Sequence, residues 1–356
     1  MSRLLLKGGR LVDPASGHDG TADVLIDDGQ VAEVGPGLDG TGAEAVDCDG
    51  LVVCPGLVDL HVHLREPGRE DAETIETGSR AAALGGYTAV CPMPNTDPVA
   101  DNAGVVEMVA ARGREVGLVD VFPVGAVTLG QRGSELAELG AMARSAARVD
   151  CFSDDGRPIR EARLLRLALE YARAFDAVIA DHAEDPSLTD EAARSYDPVF
   201  KVNPPLREKA DVEAVRLGLA DGTIDAVATD HAPHAREDKE VEWATAPPGM
   251  LGLETALAVT LTDLVEPGYL HLLTAVERLT AGPARCRRVP GHGGPVAPGA
   301  PANLAVVDPA AIWTVDRARL ASRARNTPFH GRQLRGRVEH TLLRGDFTVR
   351  DGRATR

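Results

Sequence analysis

The chain has 356 residues, of which 44% are hydrophobic and 26% charged, so it can bury a core and is not a disordered polypeptide. Its formal net charge of -16 argues against nucleic acids and anionic membranes as partners. No apolar run is long enough to cross a bilayer, and the apolar part of the N-terminus is too short for a signal peptide. The five cysteines are scattered and odd in number, which indicates reduced thiols and a cytoplasmic protein.

Short apolar segments separated by tight turns occur at both ends of the chain. Turns such as Asp28-Gly29 separate them, and the middle of the chain lacks this pattern. We therefore expect a small β-domain, of the β-sandwich type, formed by residues 1–54 and 300–356, with a larger domain of residues 55–299 inserted between its halves. The strand candidates at the two ends are 4–7, 23–26, 31–34, 302–307, 336–343 and 348–352.

In the middle of the chain, short apolar segments alternate with amphipathic ones. Helices are predicted over residues 161–175 and 210–220, where apolar side chains recur at helical spacing, and Gly222 is a plausible stop for the second helix. This alternation predicts a parallel sheet that is buried on both faces. We therefore expect a (β/α)8-type barrel with its site at the carboxyl ends of the strands. The strand candidates are 58–64, 87–92, 119–124, 149–152, 177–180 and 224–228, which is six where a closed barrel has eight.

The most informative segment is Asp59-Leu60-His61-Val62-His63-Leu64-Arg65-Glu66-Pro67-Gly68. Residues two apart on a strand face the same side, so His61 and His63 can bind one metal ion, and Arg65 continues the row. A bare His-x-His is usually coincidental, but ligand-type side chains follow five predicted strands, as a metal-dependent hydrolase on a barrel requires. These side chains are His61, His63, Asn95, Asp154, Asp155, His182, Asp230, His231 and His234.

The segment around the two histidines resembles the signature of the dihydroorotases, within the amidohydrolase superfamily. The resemblance covers nearly the whole chain and is to the bacterial type whose bridging metal ligand is an aspartate. Related hydantoinases use a carboxylated lysine there, and residues 151–156 contain no lysine. The further matching motifs are Pro92-Met93-Pro94-Asn95-Thr96, Phe152-Ser153-Asp154-Asp155-Gly156, Asp181-His182-Ala183-Glu184-Asp185, Lys201-Val202-Asn203-Pro204-Pro205-Leu206-Arg207 and Ala228-Thr229-Asp230-His231-Ala232-Pro233-His234.

The resemblance implies the reversible cyclisation of N-carbamoyl-L-aspartate to dihydroorotate in pyrimidine (UMP) biosynthesis, with two zinc ions that activate a water molecule. It implies that Asp230 also carries the proton between that water and the leaving nitrogen. The implied metal ligands are His61, His63 and Asp230 for the first ion, Asp155 as the bridge, and His182 for the second ion. The implied contacts to the small-molecule substrate include His63, which is also a metal ligand. Arg65, Asn95 and His234 are implied to hold the substrate carboxylate. Asn203 and the Pro248-Gly249 backbone are implied to contact the ring.

Several positions have a second interpretation. Asp154 is the alternative to Asp155 as ligand; we favour Asp155 and interpret Asp154 as a solvated turn residue. His231 is interpreted as structural rather than as a ligand, and Asn203, which precedes two prolines, is alternatively only a turn former. The histidines outside the motifs are interpreted as ordinary surface or loop residues; they are His18, His271, His292, His330 and His340.

One part of the family pattern is absent. Members of the family carry, before the Asn-Pro-Pro-Leu-Arg motif, a Cys-His-Val-Ser-like motif whose histidine is the other ligand of the second metal, and a Thr-Pro-His-His-Leu-like strand. Here Asp185-Pro186-Ser187 leads almost directly to Leu188, so about two βα units are missing around residues 186–188, through a deletion or an incomplete gene model. Because the second metal keeps only two protein ligands, we expect a strong first site and a weak or empty second one.

Two other functions are alternatives to a dihydroorotase. A hydantoinase or dihydropyrimidinase is disfavoured by the presence of Arg65 and Asn95 and by the absent lysine. A catalytically impaired dihydroorotase-like subunit that supports a partner such as aspartate transcarbamoylase is consistent with the loss of one metal ligand. A barrel that lacks two strands has two open sheet edges, so the alternatives are a smaller, strained barrel, pairing with another chain, as in a homodimer, or poor folding.

Overall fold

The computed structural model of the chain describes residues 3–183 and 197–356. The strands are β1 (Leu4–Asp13), β2 (His18–Asp27), β3 (Gln30–Gly35), β4 (Glu44–Asp47), β5 (Val52–Pro55), β6 (Leu57–Val62), β7 (Tyr87–Pro92), β8 (Asp120–Val121), β9 (Cys151–Phe152), β10 (Val178–Ile179), β11 (Leu304–Thr314), β12 (Gln333–Leu343), β13 (Asp346–Arg350) and β14 (Arg353–Ala354). The α-helices are α1 (Ile75–Leu84), α2 (Ala103–Val116), α3 (Leu139–Arg144), α4 (Ala162–Ala172), α5 (Lys209–Asp221), α6 (Arg236–Lys239), α7 (Ala256–Thr260), α8 (Leu272–Leu279) and α9 (Ala281–Arg287).

Both ends of the chain contribute to one nine-stranded mixed sheet. Strands β1 to β5 and β11 to β14 form it, with β5 and β11 paired antiparallel at the join between the two ends. One face packs a core that includes Leu6, Val24 and Val306. The strands predicted near both termini are therefore confirmed. The limits of the domains at residues 54 and 299 stay a prediction.

The middle of the chain forms a parallel β-structure. Strands β6, β7 and β8 are parallel neighbours, β9 pairs parallel with β10, and a single bridge from Gly125 to Phe152 links the two groups. On the other side of β6, Val62 bridges His231, and His231 bridges Met250. Five of the six strands predicted here are present, mostly shorter than predicted. The junction at residues 186–188 lies outside the described residues, so the absence of two βα units stays a prediction.

The strand predicted at residues 224–228 is wrong. This segment is irregular because its backbone donors have other partners: Val227 N–H donates to the carbonyl of Arg278 in α8 (2.8 Å). The sheet contact is made farther along the chain, at His231, so the polar residues after Ala228 belong to the sheet edge itself.

Strand β6 is largely buried on both faces. Leu57, Val58 and Val62 are fully buried, and each contributes about 1.5–3 kcal/mol on burial. A side chain at Gly56 would lie 2.2 Å from Thr88 Oγ1, so only glycine allows β6 to begin this close to β7. The strand consequently delivers its polar carboxyl end, starting at His61, to a fixed place.

Both predicted helices are present. Helix α4 continues as a 3₁₀ turn to Phe175, and α5 ends at Gly222, whose φ of +88° favours glycine. The apolar stripe predicted on α5 is only partly buried: Leu219 is buried, but Val212 and Val215 are 42% and 50% exposed. They line a groove of about 540 Å³. No described helix is both long and apolar enough to cross a membrane.

Two histidines outside the motifs are not surface residues. His292 is buried, with Nδ1 3.0 Å from Thr88 Oγ1 and Nε2 3.0 Å from Asp120 Oδ2. His340 is buried on β12 and accepts a hydrogen bond from Asp351 N–H. The interpretation as surface or loop residues was wrong for His340, which lies on a strand, whereas His292 does lie in a loop, one that packs against β7 and β8.

Candidate active site

The two histidines after β6 converge on carboxylates from distant segments. His61 Nε2 lies 3.1 Å from Asp155 Oδ1, and His63 Nε2 lies 3.5 Å from Asp155 Oδ2. Nitrogen and oxygen atoms of His61, His63 and Asp155 all lie within 4.8 Å of one another. The predicted cluster therefore forms at the carboxyl end of β6.

The neighbouring aspartates 154 and 155 have separate tasks. Asp154 is buried and accepts hydrogen bonds from Val127 N–H (2.9 Å) and Thr128 N–H (3.0 Å), so its interpretation as a solvated turn residue was wrong. Asp155 points to the histidines. Burial raises its pKa, but the neighbouring imidazoles of His182 and His61 outweigh burial and hold that pKa well below its usual range. Asp155 is accordingly an anion at the centre of the cluster.

Asp230 comes from a distant part of the chain and faces the same histidine nitrogens as Asp155. Its Oδ1 lies 2.9 Å from His63 Nε2 and 3.5 Å from His61 Nε2, and its side chain is 45% exposed. The backbone at Asp230 is left-handed, with φ of +46°. This position combines contact with the histidines and access to solvent.

Asp59 holds the segment that carries Asp230 against β6. Its carboxylate accepts hydrogen bonds from His61 N–H (3.1 Å) and from Thr229 N–H (3.2 Å) and Oγ1 (2.6 Å). The main chain adds a bond from His63 N–H to the carbonyl of His231 (2.8 Å). Sequence reasoning did not select Asp59, although it begins the Asp-Leu-His-Val-His motif.

His182 lies at the edge of the cluster. Its Nδ1 is 3.8 Å from Asp155 Oδ1, and its side chain is buried. Glu184 and Asp185 of the same motif lie outside the described residues. The structure thus brings together all five residues predicted as ligands, with His182 the most distant.

The tautomer of His63 indicates a cation at this site. Asn95 Oδ1 accepts a hydrogen bond from Nδ1 (2.8 Å), so in the neutral ring Nε2 carries a lone pair and faces the oxygens of Asp155 and Asp230. Burial lowers the pKa of His63 and disfavours a second proton. Within residues 3–183 and 197–356, the buried Nε2 of His61 has no hydrogen-bond partner. The lone pair of His63 Nε2 and the unpartnered Nε2 of His61, both facing carboxylates, fit a divalent metal ion.

The predicted substrate residues surround this cluster. Arg65 Nε donates to the carbonyl of Pro233 (2.9 Å), and one Nη lies 3.4 Å from His234 Nε2. His234 Nε2–H donates to the carbonyl of Pro248 (2.8 Å). Burial, followed by the charge of Arg65, lowers the pKa of His234 to about 3, so this imidazole is neutral.

Asn203 and Gly249 lie on adjoining segments. Asn203 is half-buried, two residues after Lys201, and the carbonyl of Lys201 accepts a bond from Gly249 N–H (2.8 Å). His231 is buried against Glu73, with Nε2 3.4 Å from Oε2, while its Nδ1 accepts from Gly252 N–H (3.2 Å). These contacts fit the interpretation of His231 as a structural residue, which stays a prediction.

Replacing Gly249 by alanine is expected to lower the free energy of unfolding by about 1–3 kcal/mol. A Cβ there would lie 2.7 Å from His234 Nε2 and 2.9 Å from the carbonyl oxygen of Ala232, and φ is +143°. Urea unfolding measures the change. Gly268→Ala is the control, because Gly268 also has positive φ but open space around it. Equal losses in the two variants would contradict a role for the close contact.

Solved structures with the same fold as this chain are named as a dihydropyrimidinase and a hydantoinase. Among solved structures, a dihydropyrimidinase from Brevibacillus agri (TM-score 0.83, 20% identity, 99% of this chain and 96% of that one) and L-hydantoinase from Arthrobacter aurescens (TM-score 0.79, 23% identity, 100% and 98%) share the fold. This fold is the TIM-type barrel of the amidohydrolases. Residues 50–199 match the profile of Dihydro-orotase-like proteins, and residues 188–348 match that of the Amidohydrolase family.

The dihydroorotase of Streptomyces coelicolor is 46% identical over an alignment that covers 100% of both chains, and that of Mycobacterium tuberculosis is 45% identical, with 95% and 97% covered. The chain therefore belongs to the dihydroorotase family. The alignment with the Streptomyces protein spans 433 residues, whereas this chain has 356. The difference has the scale of two βα units of roughly 30 or more residues each.

Proposed function

We propose that this chain catalyses the reversible cyclisation of N-carbamoyl-L-aspartate to dihydroorotate in pyrimidine biosynthesis. The observation that carries the proposal is the convergence of His61, His63, Asp155 and Asp230 on one point, in a chain that is 46% identical to a dihydroorotase. A cytoplasmic location belongs to the proposal. It is supported by the five cysteines, none of which is paired in the described part of the chain.

The proposed ligands of a first zinc ion are His61, His63 and Asp230, with Asp155 as a bridge and His182 at a second site. A bound divalent ion would lower the pKa of a water molecule and polarise the amide carbonyl. Asp59 and Asn95 orient this set, since Asp59 binds the backbone at His61 and Asn95 fixes the tautomer of His63.

Asp230 is the proposed acid and base. In the hydrolytic direction, the oxygen of water bonds to the ring carbonyl carbon, the carbon–nitrogen bond breaks, and the proton of water passes through Asp230 to the leaving nitrogen. The exposed side chain of Asp230 beside His63 can reach both water and substrate. Ring closure uses the same group in reverse.

The substrate carboxylate is proposed to bind Arg65, Asn95 and His234, and the ring to contact Asn203 and the Pro248-Gly249 backbone. The hydrogen bond from Arg65 Nε to the carbonyl of Pro233 supports this role, because it places the rest of the guanidinium next to His234. The buried, neutral His234 adds shape and hydrogen bonding without charge.

One zinc ion per chain is expected to survive dialysis, because the first site has two histidines and two carboxylates, whereas His182 Nδ1 lies 3.8 Å from Asp155 Oδ1, farther than either histidine of the first site. His61→Ala should lose the retained zinc. His182→Ala and the exposed control His330→Ala should keep it. Elemental analysis of dialysed protein measures this. Two retained ions in the wild type, or zinc loss in His182→Ala, would contradict the expectation.

The test of the proposed function is hydrolysis of dihydroorotate by zinc-loaded protein, with dihydrouracil as the comparison substrate. Turnover of dihydroorotate alone supports the proposal. Turnover of dihydrouracil would favour the hydantoinase class, whose solved members share the fold but only 18–23% identity. No turnover from folded, zinc-loaded protein would favour an impaired subunit. Copurification with aspartate transcarbamoylase would then identify its partner, whereas a homodimer without the transferase would not support such a partnership.

A further inference from the structure

Asn326 is a buried residue that sequence reasoning missed, and it contacts two segments of the candidate site. Its Oδ1 accepts a hydrogen bond from His234 N–H (3.2 Å), and its Nδ2 donates to the carbonyls of Ala232 (3.0 Å) and Gly249 (3.1 Å). Its own carbonyl accepts from Leu251 N–H (3.1 Å). The side chain is 4% exposed, so these bonds are shielded from water.

The two segments that Asn326 joins are those proposed to face the substrate. One carries His234, and the other carries Pro248 and Gly249. They also touch each other directly, through His234 Nε2–H to Pro248 O (2.8 Å) and Ala232 N–H to Met250 O (2.8 Å). Asn326 lies behind this contact and fixes its spacing from a third part of the chain.

The segment that carries Asn326 is itself fixed by two carboxylates, the fully buried Glu73 and the half-buried Glu254. Glu254 accepts hydrogen bonds from Ala321 N–H (2.9 Å) and Ser322 N–H (3.3 Å). Glu73 accepts one from Arg323 N–H (3.0 Å) and another from Ser322 Oγ. Residues 321–323 are therefore held from both sides, and Asn326 stands on a rigid support.

We infer that Asn326 is a positioning residue that sets the distance between the His234 segment and the Pro248-Gly249 segment, and thereby the affinity for the cyclic amide substrate. This inference rests on the proposed function. The residue must be an amide, because it accepts from one N–H and donates to two carbonyls. Aspartate would place a carboxylate against the oxygens of Ala232 and Gly249, and alanine would leave three backbone groups unpaired.

Kinetics of Asn326→Ala and Asn326→Asp on dihydroorotate test the inference. We expect KM to rise by about 10-fold or more and kcat to change less than about threefold, since the ligand cluster is not touched. The matched control is Asn303→Ala. Asn303 is equally buried and also binds two backbone groups, Gly291 O (2.9 Å) and Arg344 N–H (2.7 Å), away from the site. It should lower Tm but leave KM within about twofold.

Hydrogen exchange separates this inference from the proposed function. Asn326→Ala, but not Asn303→Ala, should speed amide exchange in residues 231–236 and 248–252. Unchanged exchange in both segments, or equal KM changes in the Asn326 and Asn303 variants, would overturn the inference. A wild-type protein without turnover would contradict the proposed function only, and the exchange result would then decide on Asn326 alone.

Discussion

Replacing Asp230 by asparagine is expected to lower kcat for dihydroorotate hydrolysis by about 10²–10⁴-fold. The amide cannot take a proton from water, and it weakens the anionic surroundings of His61 and His63, whose Nε2 atoms lie 3.5 Å and 2.9 Å from Asp230 Oδ1. The backbone should not change, because asparagine tolerates the left-handed φ of +46°. Steady-state kinetics of zinc-loaded protein measure the loss.

Asp176→Asn is the matched control for that experiment. Asp176 is also left-handed, with φ of +54°, and its side chain is 79% exposed and far from the cluster in an ion pair with Arg288. It should keep wild-type kcat. If Asp230→Asn retained kcat within about tenfold while binding zinc normally, Asp230 would not be the proton carrier.

Replacing Glu254 by glutamine is expected to stabilise the protein at pH 8 by about 3 kcal/mol, but little at pH 4.5. Burial raises the pKa of Glu254 from 4.5 to about 7, with a further rise from Glu73 and opposition from the Ala321 and Ser322 amides and Arg325. The folded state therefore binds this proton more tightly than the unfolded state. That contribution is present below pH 4.5 and is lost as pH rises through about 7.

Urea unfolding of wild type and Glu254→Gln at several pH values measures this effect. The difference between the two proteins cancels the other titrating groups, and it should grow from pH 4.5 to about 7 and then stay constant. Glu240→Gln is the control, since Glu240 is exposed on the surface beside Arg236. A pH-independent difference for Glu254→Gln would show that Glu254 does not titrate in this range.

The sequence predicted that these side chains would cluster because most of them lie at the end of an apolar strand or soon after it. His61 follows the apolar residues of β6, and Asp155 follows β9, so the parallel order of the strands brings their ends to one edge. The family resemblance supplied the roles. Neither the strand pattern nor the resemblance showed which of Asp154 and Asp155 faces the histidines, since adjacent residues after a two-residue strand have no fixed side. In the structure Asp154 accepts hydrogen bonds from Val127 N–H and Thr128 N–H instead, and Asp155 faces the histidines.

The residues that sequence reasoning missed act through contacts between distant segments. Asn326 reaches His234 across 92 positions, and Glu73 reaches Ser322 across 249. No local pattern marks either residue, since an asparagine before Thr327 and a glutamate before Thr74 are each typical of turns and helix starts. The strand prediction for residues 224–228 was wrong for a similar reason. Its apolar residues suggested a strand, but Val227 N–H donates to the carbonyl of Arg278 in α8.

Because β5 pairs with β11, the residues between these two strands form an insertion into the nine-stranded sheet. Pro55 and Leu304 are paired neighbours, so the polypeptide leaves the nine-stranded sheet and returns to it at adjacent points. A change of chain length between these two residues need not shift the register of the sheet, because the strands at the entry and the exit are paired with each other. Strand β6, which carries His61, begins two residues after Pro55 and so starts at this paired point.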